Sequence, residues 1–397
     1  MSFYNHKTQF ENNLKRIKES GELIKENKDI ILKFKDYLLS EGLSVQRINR
    51  YISDLFKYNK ILNKPFDKAT KEDLRKVIAD LNQTEYADET KKCFKIILRK
   101  LYRFIRGVEE KGVYPDEVKW ISIAIPSNHK KLPEELLTED EVKRIIEKCD
   151  NLRDKTLISC LYESGCRVGE IGTMKIKHVS FEQYGARLTV NGKTGMRKIL
   201  IVNSTPYLQE WINRHPYNDK ENYLWISNNG KSLSYTRIVA ILKNASRRAG
   251  IKKKVHPHIL RHSRATLLAS TPGMSDASMK HYFGWTQGSK MAATYIHMSG
   301  MDTDKAILMA NGIETNSEKI KSKLEPKKCL KCKNLNEFTN RFCKICGFVL
   351  DKEEAEKIME DDFKRKQADN IMERIIDDPE FKELLIRKIK SQSLKLS

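Results

Sequence analysis

The sequence predicts a mainly α-helical chain with one small antiparallel β-sheet, a short cysteine-bearing module and a helical tail. Three observations predict this class. Apolar residues recur at i, i+3, i+4 and i+7 over much of the chain, a single β-rich stretch turns at Asn191-Gly192, and two Cys-x-x-Cys pairs follow one another after position 325. At 397 residues with 39% hydrophobic side chains, the chain is too long for one small domain and too apolar for disorder.

Positions 1–110 read as successive amphipathic helices. Ile48, Tyr51, Ile52, Leu55 and Phe56 share one face; Leu74, Val77, Ile78 and Leu81 share another after a Thr70 to Asp73 cap. Phe94, Ile97, Leu98, Leu101, Phe104 and Ile105 make a third stripe. Between the stripes stand Arg47, Arg50, Lys91, Lys92, Lys95, Arg99 and Lys100, the exposed cations of a module packed against a phosphate backbone or, equally, of a solvated helical face. A Gly-, Pro- and Lys-bearing stretch from Gly107 to Pro133 breaks the periodicity, so residues 111–133 are expected to be a linker.

A new domain opens on the capping box Thr138 and Glu141, followed by Val142, Ile145, Ile146 and Cys149 on one face. Cys149 and Cys160 fall at core spacing and Cys93 lies beside a core stripe, so all three are read as buried small hydrophobes. In ARLTVNGKTGMRKILIV, β-rich runs flank Asn191-Gly192-Lys193-Thr194-Gly195, a hairpin with Lys193 at its turn. Helical spacing returns at about Ser234, where Ile238, Ile241, Leu242 and Ala245 form a stripe ending at Gly250.

The formal charge is +22, from 75 Lys plus Arg against 53 Asp plus Glu. Such an excess attracts polyanions by releasing counterions from phosphate backbones, which makes nucleic acid the first partner to consider and a solvated Lys-rich surface the plain alternative. Residues 351–397 carry −2 and the remainder +24, so the body is the polyanion-binding part. A mean hydropathy of −0.60, with no apolar run near the roughly 18 to 20 residues a bilayer demands, excludes a membrane-spanning helix. The start, MSFYNHKTQFENNLKRIKES, shows no apolar signal region; a cytoplasmic location is expected, where cysteines serve as core thiols or metal ligands.

Four separated segments concentrate the chemistry: SGCRVGEIGTMKIKHV around Arg167, the hairpin Lys193, HPHILRHSRATLLA with His258 and Arg261, and YFGWTQGSKMAATYIHM with Trp285 and Tyr295. Together they resemble the tyrosine recombinase (phage integrase, Xer-like) family, whose active site reads Arg, Lys, His-x-x-Arg, His or Trp, and Tyr in that order. The resemblance extends over residues of about 30 to 310 and is strongest between 160 and 300. It implies a helical, SAM-like core-binding domain at 1–110 and a mixed α/β catalytic domain at 134–312. It further implies a DNA-associated, site-specific recombinase that forms a covalent 3′-phosphotyrosyl intermediate and exchanges strands pairwise through a four-way junction. Its partner is then double-stranded DNA, its assembly a dimer on a site and a tetramer in synapsis, and no cofactor is required for the chemistry.

The residue types suit that reaction. A phenol of pKa about 10 is a weak nucleophile but a manageable leaving group, so a bond from Tyr295 to phosphorus forms and reverses without ATP. Arg167 and Arg261 offer planar paired donors to the non-bridging oxygens, which Lys cannot reproduce. The resemblance makes Lys193 the general acid to the leaving 5′-oxygen and gives His258 a proton-transfer and phosphate-contact role. Trp285 stands where most members have His and some have Trp; its indole donates a hydrogen bond but shuttles no proton, which leaves contact and packing. Glu170 is expected to orient the Arg167 region, His262, Ser263 and Thr266 to contact phosphate or pack the helix, and His297 to be structural. Two departures stand out: Arg264 replaces the usual aromatic, and TPGMSDASMKHYFGW matches the family loosely before Trp285.

Within enzymes the rival reading is a type IB topoisomerase, which uses the same residue logic without a specific site; the compact spacing from Arg261 to Tyr295 and the N-terminal helices favour the recombinase. From another class, a non-catalytic DNA-binding regulator could keep the fold, against which the complete residue set argues.

Cys329-x2-Cys332 and Cys343-x2-Cys346, ten residues apart, have zinc-ribbon spacing: two knuckles close a tetrahedral structural site for one Zn²⁺ at 327–350. A redox dithiol pair or a four-thiolate iron centre are the alternatives. Lys327, Lys328, Lys331, Lys333, Arg341 and Lys344 suit DNA contact, and protein docking is the competing use. Residues 313–326 read as a second linker. The tail, 351–397, is expected to be helical, with Ile371, Ile375, Phe381, Leu384, Leu385 and Ile389 available for an accessory protein or self-association.

Overall fold

The computed structural model describes residues 3–124, 135–192, 194–217, 219–271, 274–298 and 322–393. It divides into two compact units, Met1–Leu132 and Pro133–Ser397.

The first unit is built from α1 (His6–Glu19), α2 (Lys25–Ser40), α3 (Val45–Leu62), α4 (Lys71–Gln83) and α5 (Asp88–Ile105). Each forms because its apolar residues recur on one face. Ile31, Phe34 and Leu38 of α2, Ile48 through Leu55 of α3, Leu74 through Leu81 of α4 and Phe94 through Leu101 of α5 close one core. The Thr70 capping box is present, the hydroxyl accepting from the Asp73 N–H and the carboxylate from the Thr70 N–H. Three features differ from the sequence reading. Cys93 is exposed, because it precedes Phe94 by one residue, about 100° around the helix from the buried stripe. The stretch after Gly107 folds back through Pro115, so that Val118 and Ile121 are buried in this same core. Arg99 and Lys100 are committed within the unit: the Arg99 guanidinium lies 3.7 Å over the Tyr114 ring and Lys100 Nζ is 2.5 Å from Glu41, while Arg50 pairs with Asp54 at 2.7 Å.

The second unit is organised around α7 (Leu152–Ser164), buried from Thr156 to Ser164 and flanked by α6 (Glu139–Glu147), α9 (Thr205–Asn213) and α11 (Pro257–Ala269). Its uniform burial follows from neighbours on every side. The buried Glu163 carboxylate accepts from the backbone N–H of Val202, Asn203 and Ser204 at 2.7, 2.8 and 2.6 Å, at the start of α9 where orphan donors favour an anion. A short α8 (Val168–Gly172) leads into the sheet β1 (Val179–Glu182), β2 (Gly185–Gly192) and β3 (Gly195–Ile201), antiparallel in that order. Gly192 pairs with Gly195, so the hairpin closes through Lys193-Thr194; Lys193 itself lies outside the described residues. Then come α10 (Tyr235–Arg248), capped by Ser234, followed after α11 by α12 (Asp276–Phe283) and α13 (Met291–Met298). Cys149 and Cys160 are buried as expected.

The ribbon pairs two short strands, β4 (Lys327–Lys328) and β5 (Leu335–Asn336), and docks on the same unit. Tyr207 and Thr339 share a 2.8 Å hydroxyl contact, Phe338 meets the Tyr207 ring edge-on at 5.8 Å, and Ser322 donates to Glu139 at 2.9 Å. Burial, then the facing Glu210, pushes the Glu337 carboxyl up to about 7. The folded state therefore keeps a proton that an unfolded Glu releases near pH 4.3, so stability falls as pH rises from about 4.3 to about 7. Glu337→Gln is expected to remove that fall, read as equal amide-exchange protection of residues 327–350 at pH 6 and pH 8, where the wild type loses protection at pH 8.

Two tail helices, α14 (Lys352–Asp377) and α15 (Pro379–Ser393), complete the described chain, with Met359, Phe363, Ile371, Leu384 and Ile389 exposed. No helix among the described residues is long and apolar enough to cross a membrane.

Candidate active site

The turn after α7 and the turn after α12 build the site's floor, and both need glycine. Gly165 ends α7 at φ +56, and a Cβ there would meet Phe283 Cε1 at 2.3 Å; Gly284 ends α12 at φ +61, and its Cβ would meet Arg197 Nη1 at 2.6 Å. The freed carbonyls of these two turns hold the arginines. Arg261 Nη1 donates to Gly165 O at 2.6 Å and its Nη2 to Phe283 O at 2.7 Å, while Arg167 Nη2 donates to Gly284 O at 3.3 Å. Two guanidiniums are thus fixed on adjacent carbonyls of one turn.

Burial, and then the charge of Arg167, brings the Arg261 guanidinium down to about 10. It stays charged at neutral pH, so the site holds like-charge repulsion that Glu170 relieves in part and a bound anion would relieve further. Glu170, one turn into α8, takes part of that charge: its carboxylate accepts from Arg167 Nη1 at 2.9 Å and from the Arg167 N–H at 2.9 Å. Burial alone would raise Glu170, yet hydrogen bonds and charge from Arg197 hold it below the ordinary carboxylate value.

Arg197 went unrecognised at the sequence level. It grips Glu170 with Nη1 at 3.1 Å and Nη2 at 2.9 Å, and donates from Nε to Tyr282 O at 3.1 Å. It thereby ties β3 to the Arg167 turn and to the end of α12. The available signal was its register: Arg197, Ile199 and Ile201 are the inward positions of β3. Arg197→Met is expected to cost about 1–3 kcal/mol, because it removes two of the hydrogen bonds to a buried carboxylate and leaves Arg167 as its partner. Thermal unfolding of R197M, and of R197M/E170Q in which part of the loss returns, checks this.

Trp285 follows the Gly284 cap, its N–H bonded to Lys280 O at 2.9 Å. It lies in a stack of three rings, 4.9 Å from Phe283 and 5.5 Å from Tyr295, at 18° and 9°. Tyr295, on α13, is only 3% exposed, and burial pushes its phenol up to about 12 against the lowering field of Arg261. Its hydroxyl is hydrogen-bonded to Nδ1 of His262. His258 is exposed in the first turn of α11, its ring 6.5 Å from that of His262.

The structure therefore brings together Arg167, Arg261, Trp285 and Tyr295, with His258 at the rim. Lys193 and the side chain of His297 lie outside the described residues. Ser263 turns away, accepting from the Leu137 N–H at 2.8 Å. Arg264, in place of an aromatic, is half-buried with Nε donating to Glu163 O at 3.0 Å and its guanidinium 5.8 Å over the Tyr162 ring, so carbonyl and π-face satisfy the charge.

In the ribbon, the sulfurs of Cys329, Cys332, Cys343 and Cys346 all lie within 4.8 Å of one another. The Cys329–Cys346 and Cys332–Cys343 separations are 3.5 Å, against an edge of about 3.8 Å for a tetrahedron with Zn–S near 2.3 Å. The four thiols fit a tetrahedral divalent ion.

Comparison with known proteins agrees with this geometry. Residues 135–300 match the model of the phage integrase family. Tyrosine recombinase XerA of Pyrococcus horikoshii is 32% identical over 235 residues, covering 58% of this chain and 76% of the relative. Tyrosine recombinase XerD of Bifidobacterium longum is 30% identical over 256 residues, covering 58% of this chain and 80% of the relative. Among solved structures, XerH bound to palindromic difH substrate in a post-cleavage complex superposes with a TM-score of 0.56 at 20% identity, over 78% of this chain and 97% of that one. A lambda integrase tetramer bound to a Holliday junction gives 0.54 at 18% identity, over 69% and 78%. With relatives of this identity matched over most of their length, and with two arginines, a tryptophan and a tyrosine set on one floor, the chain belongs to the phage integrase family and is a site-specific tyrosine recombinase.

Proposed function

We propose that this recombinase cuts DNA by attack of Tyr295 on a backbone phosphodiester, leaving a 3′-phosphotyrosyl bond and a free 5′-hydroxyl. One observation carries the reading: two guanidiniums held on consecutive carbonyls, with their repulsion relieved only in part by Glu170, beside a tyrosine. Arg167 and Arg261 receive the non-bridging oxygens, where charge builds in the transition state, and need no reorganisation because Gly165, Phe283, Gly284 and Glu170 already fix them. Lys193, at the hairpin tip, protonates the leaving 5′-oxygen. His258 contacts the phosphate and assists proton transfer, and Trp285 packs the nucleophile. Rejoining reverses these steps with a 5′-hydroxyl from the exchanged strand.

By likeness to the DNA-bound relatives, the partner is double-stranded DNA, bound by a dimer on each site and a tetramer in synapsis, with the helical unit through Ile121 as the core-binding domain and 134–312 as the catalytic domain. Cys329, Cys332, Cys343 and Cys346 hold one structural Zn²⁺, which supplies folding free energy to the ribbon at 327–350 and takes no part in the chemistry. An accessory protein docks on the ribbon or tail.

The test is covalent capture from a library of randomised nicked duplexes in magnesium-free buffer. Denaturant-resistant adducts on a narrow set of sequences are expected. Adducts without sequence preference, with relaxation of supercoils, would make the chain a topoisomerase; no adduct at all would leave a DNA-binding regulator.

A further inference from the structure

We propose that His262 accepts the phenolic proton of Tyr295 as that tyrosine attacks phosphorus, and returns it when the strand is rejoined. The inference rests on Tyr295 as nucleophile and adds the group that activates it.

A phenol raised to about 12 is deprotonated in only about one molecule in 10⁵ at pH 7, so the attacking hydroxyl needs a base in contact. Among the described residues, His262 supplies the hydrogen bond to that hydroxyl, through Nδ1, with ring centroids 5.8 Å apart. Among the described residues, Trp285 and Arg261 beside Tyr295 take no proton. Trp285 stacks on it and its indole is donor-only, and Arg261 is a cation engaged with two carbonyls. The imidazole at the Tyr295 hydroxyl thus comes from α11, next in sequence to Arg261.

Among the described residues, the charged and titratable groups around this pair can be named, and the Arg261 cation already lowers the phenol. Facing His262 are Tyr295 from α13 and, on its own helix, His258 one turn earlier and Arg261. On α7, the Glu163 carboxylate is taken by three backbone N–H groups; on α12, Lys280 pairs with Asp276 at 2.6 Å. With Nε2 carrying the ring proton, Nδ1 presents its lone pair to the phenol.

The step balances. The Tyr295 Oη–P bond forms as the P–O5′ bond breaks; the phenolic proton passes to His262 Nδ1, and the electron pair of the broken bond goes to the 5′-oxygen, which takes a proton from the acid assigned to Lys193. Religation runs the same transfers backwards. His262 and the leaving-group acid thus act at opposite ends of the in-line displacement.

The experiment measures single-turnover cleavage by the full-length protein on a nicked suicide duplex selected with the wild type from the randomised library. His262→Gln is expected to slow adduct formation by about 10²–10⁴-fold and to remove the acid limb that a histidine base gives the rate profile. A sulfur leaving group at the 5′-bridging position should rescue Lys193→Ala and leave H262Q slow. Should H262Q fail to fold, His262→Ala is assayed with added imidazole, which should restore cleavage. Wild-type rates in H262Q, or faster ones, overturn the proposal, the second by making the contact a latch on the resting tyrosine. So does rescue of H262Q by the sulfur leaving group, or a folded H262A that imidazole fails to restore. If wild type captures no strand, or Tyr295→Phe captures as well as wild type, the nucleophile assignment falls first; if only the His262 variants behave as wild type, that assignment stands and this one falls.

Discussion

Tyr295→Phe is expected to abolish covalent capture while leaving DNA binding intact, a loss of roughly 10⁴-fold or more by comparison with removing the nucleophile of other covalent enzymes. The structure explains why these outcomes separate. Phenylalanine keeps the stack on Trp285, whose rings lie 5.5 Å apart at 9°, and forfeits only the hydroxyl and its bond to His262. One hydrogen bond is worth about 1 kcal/mol of stability, too little to unfold the unit. Neither arginine depends on the lost oxygen, since Arg261 rests on Gly165 and Phe283 carbonyls and Arg167 on Glu170 and Gly284. Denaturing gels of the adduct, beside salt-dependent binding of the same duplex, make the measurement. Capture by the variant at an appreciable rate would move the nucleophile elsewhere.

The second large effect is on the ribbon. Cys343→Ser is expected to remove the bound metal, from one zinc per chain to none, and with it the ordered state of residues 327–350. Little else could hold this module. Its strands are two residues each, and its buried apolar side chain besides the cysteines is Phe338. Structural zinc sites supply apparent free energies of about 10–16 kcal/mol at pH 7, far beyond what so small a core provides. Cys343 is buried, 3.5 Å from Cys332 and in reach of the Asn336 amide at 3.6 Å, so serine would also leave its neighbours without a partner of the right size. Metal analysis gives the stoichiometry. Amide exchange should show 327–350 losing protection together, along with the Tyr207 and Thr339 contact through which the ribbon meets α9. A folded, zinc-free C343S would show that docking alone sustains the ribbon.

Proline-free helical stripes, the Thr70 and Thr138 capping boxes and the Gly192–Gly195 hairpin were all legible, because each depends on residues within four or five positions of one another. The order of Arg167, His258, Arg261, Trp285 and Tyr295 was legible through resemblance. What those residues touch was not. Cys93 differs from a core cysteine only by one step of helical rotation beside Phe94, and Arg99 and Lys100 differ from DNA-facing cations only in meeting Tyr114 and Glu41. The contact of His262 with Tyr295 spans 33 positions, and the grip of Arg197 on Glu170 spans 27.

The sequence by itself thus determined the helical class, the caps, the hairpin, the cysteine knuckles and the residue types of the site. Only the tertiary structure decided that two arginines share one turn, that Glu170 is held between Arg167 and Arg197, and that the Tyr295 hydroxyl meets His262 Nδ1. The reason is physical: helix and turn formation follow local backbone and side-chain energetics, whereas the charge state and partners of a buried group depend on which distant segments the fold brings within a few ångströms of it.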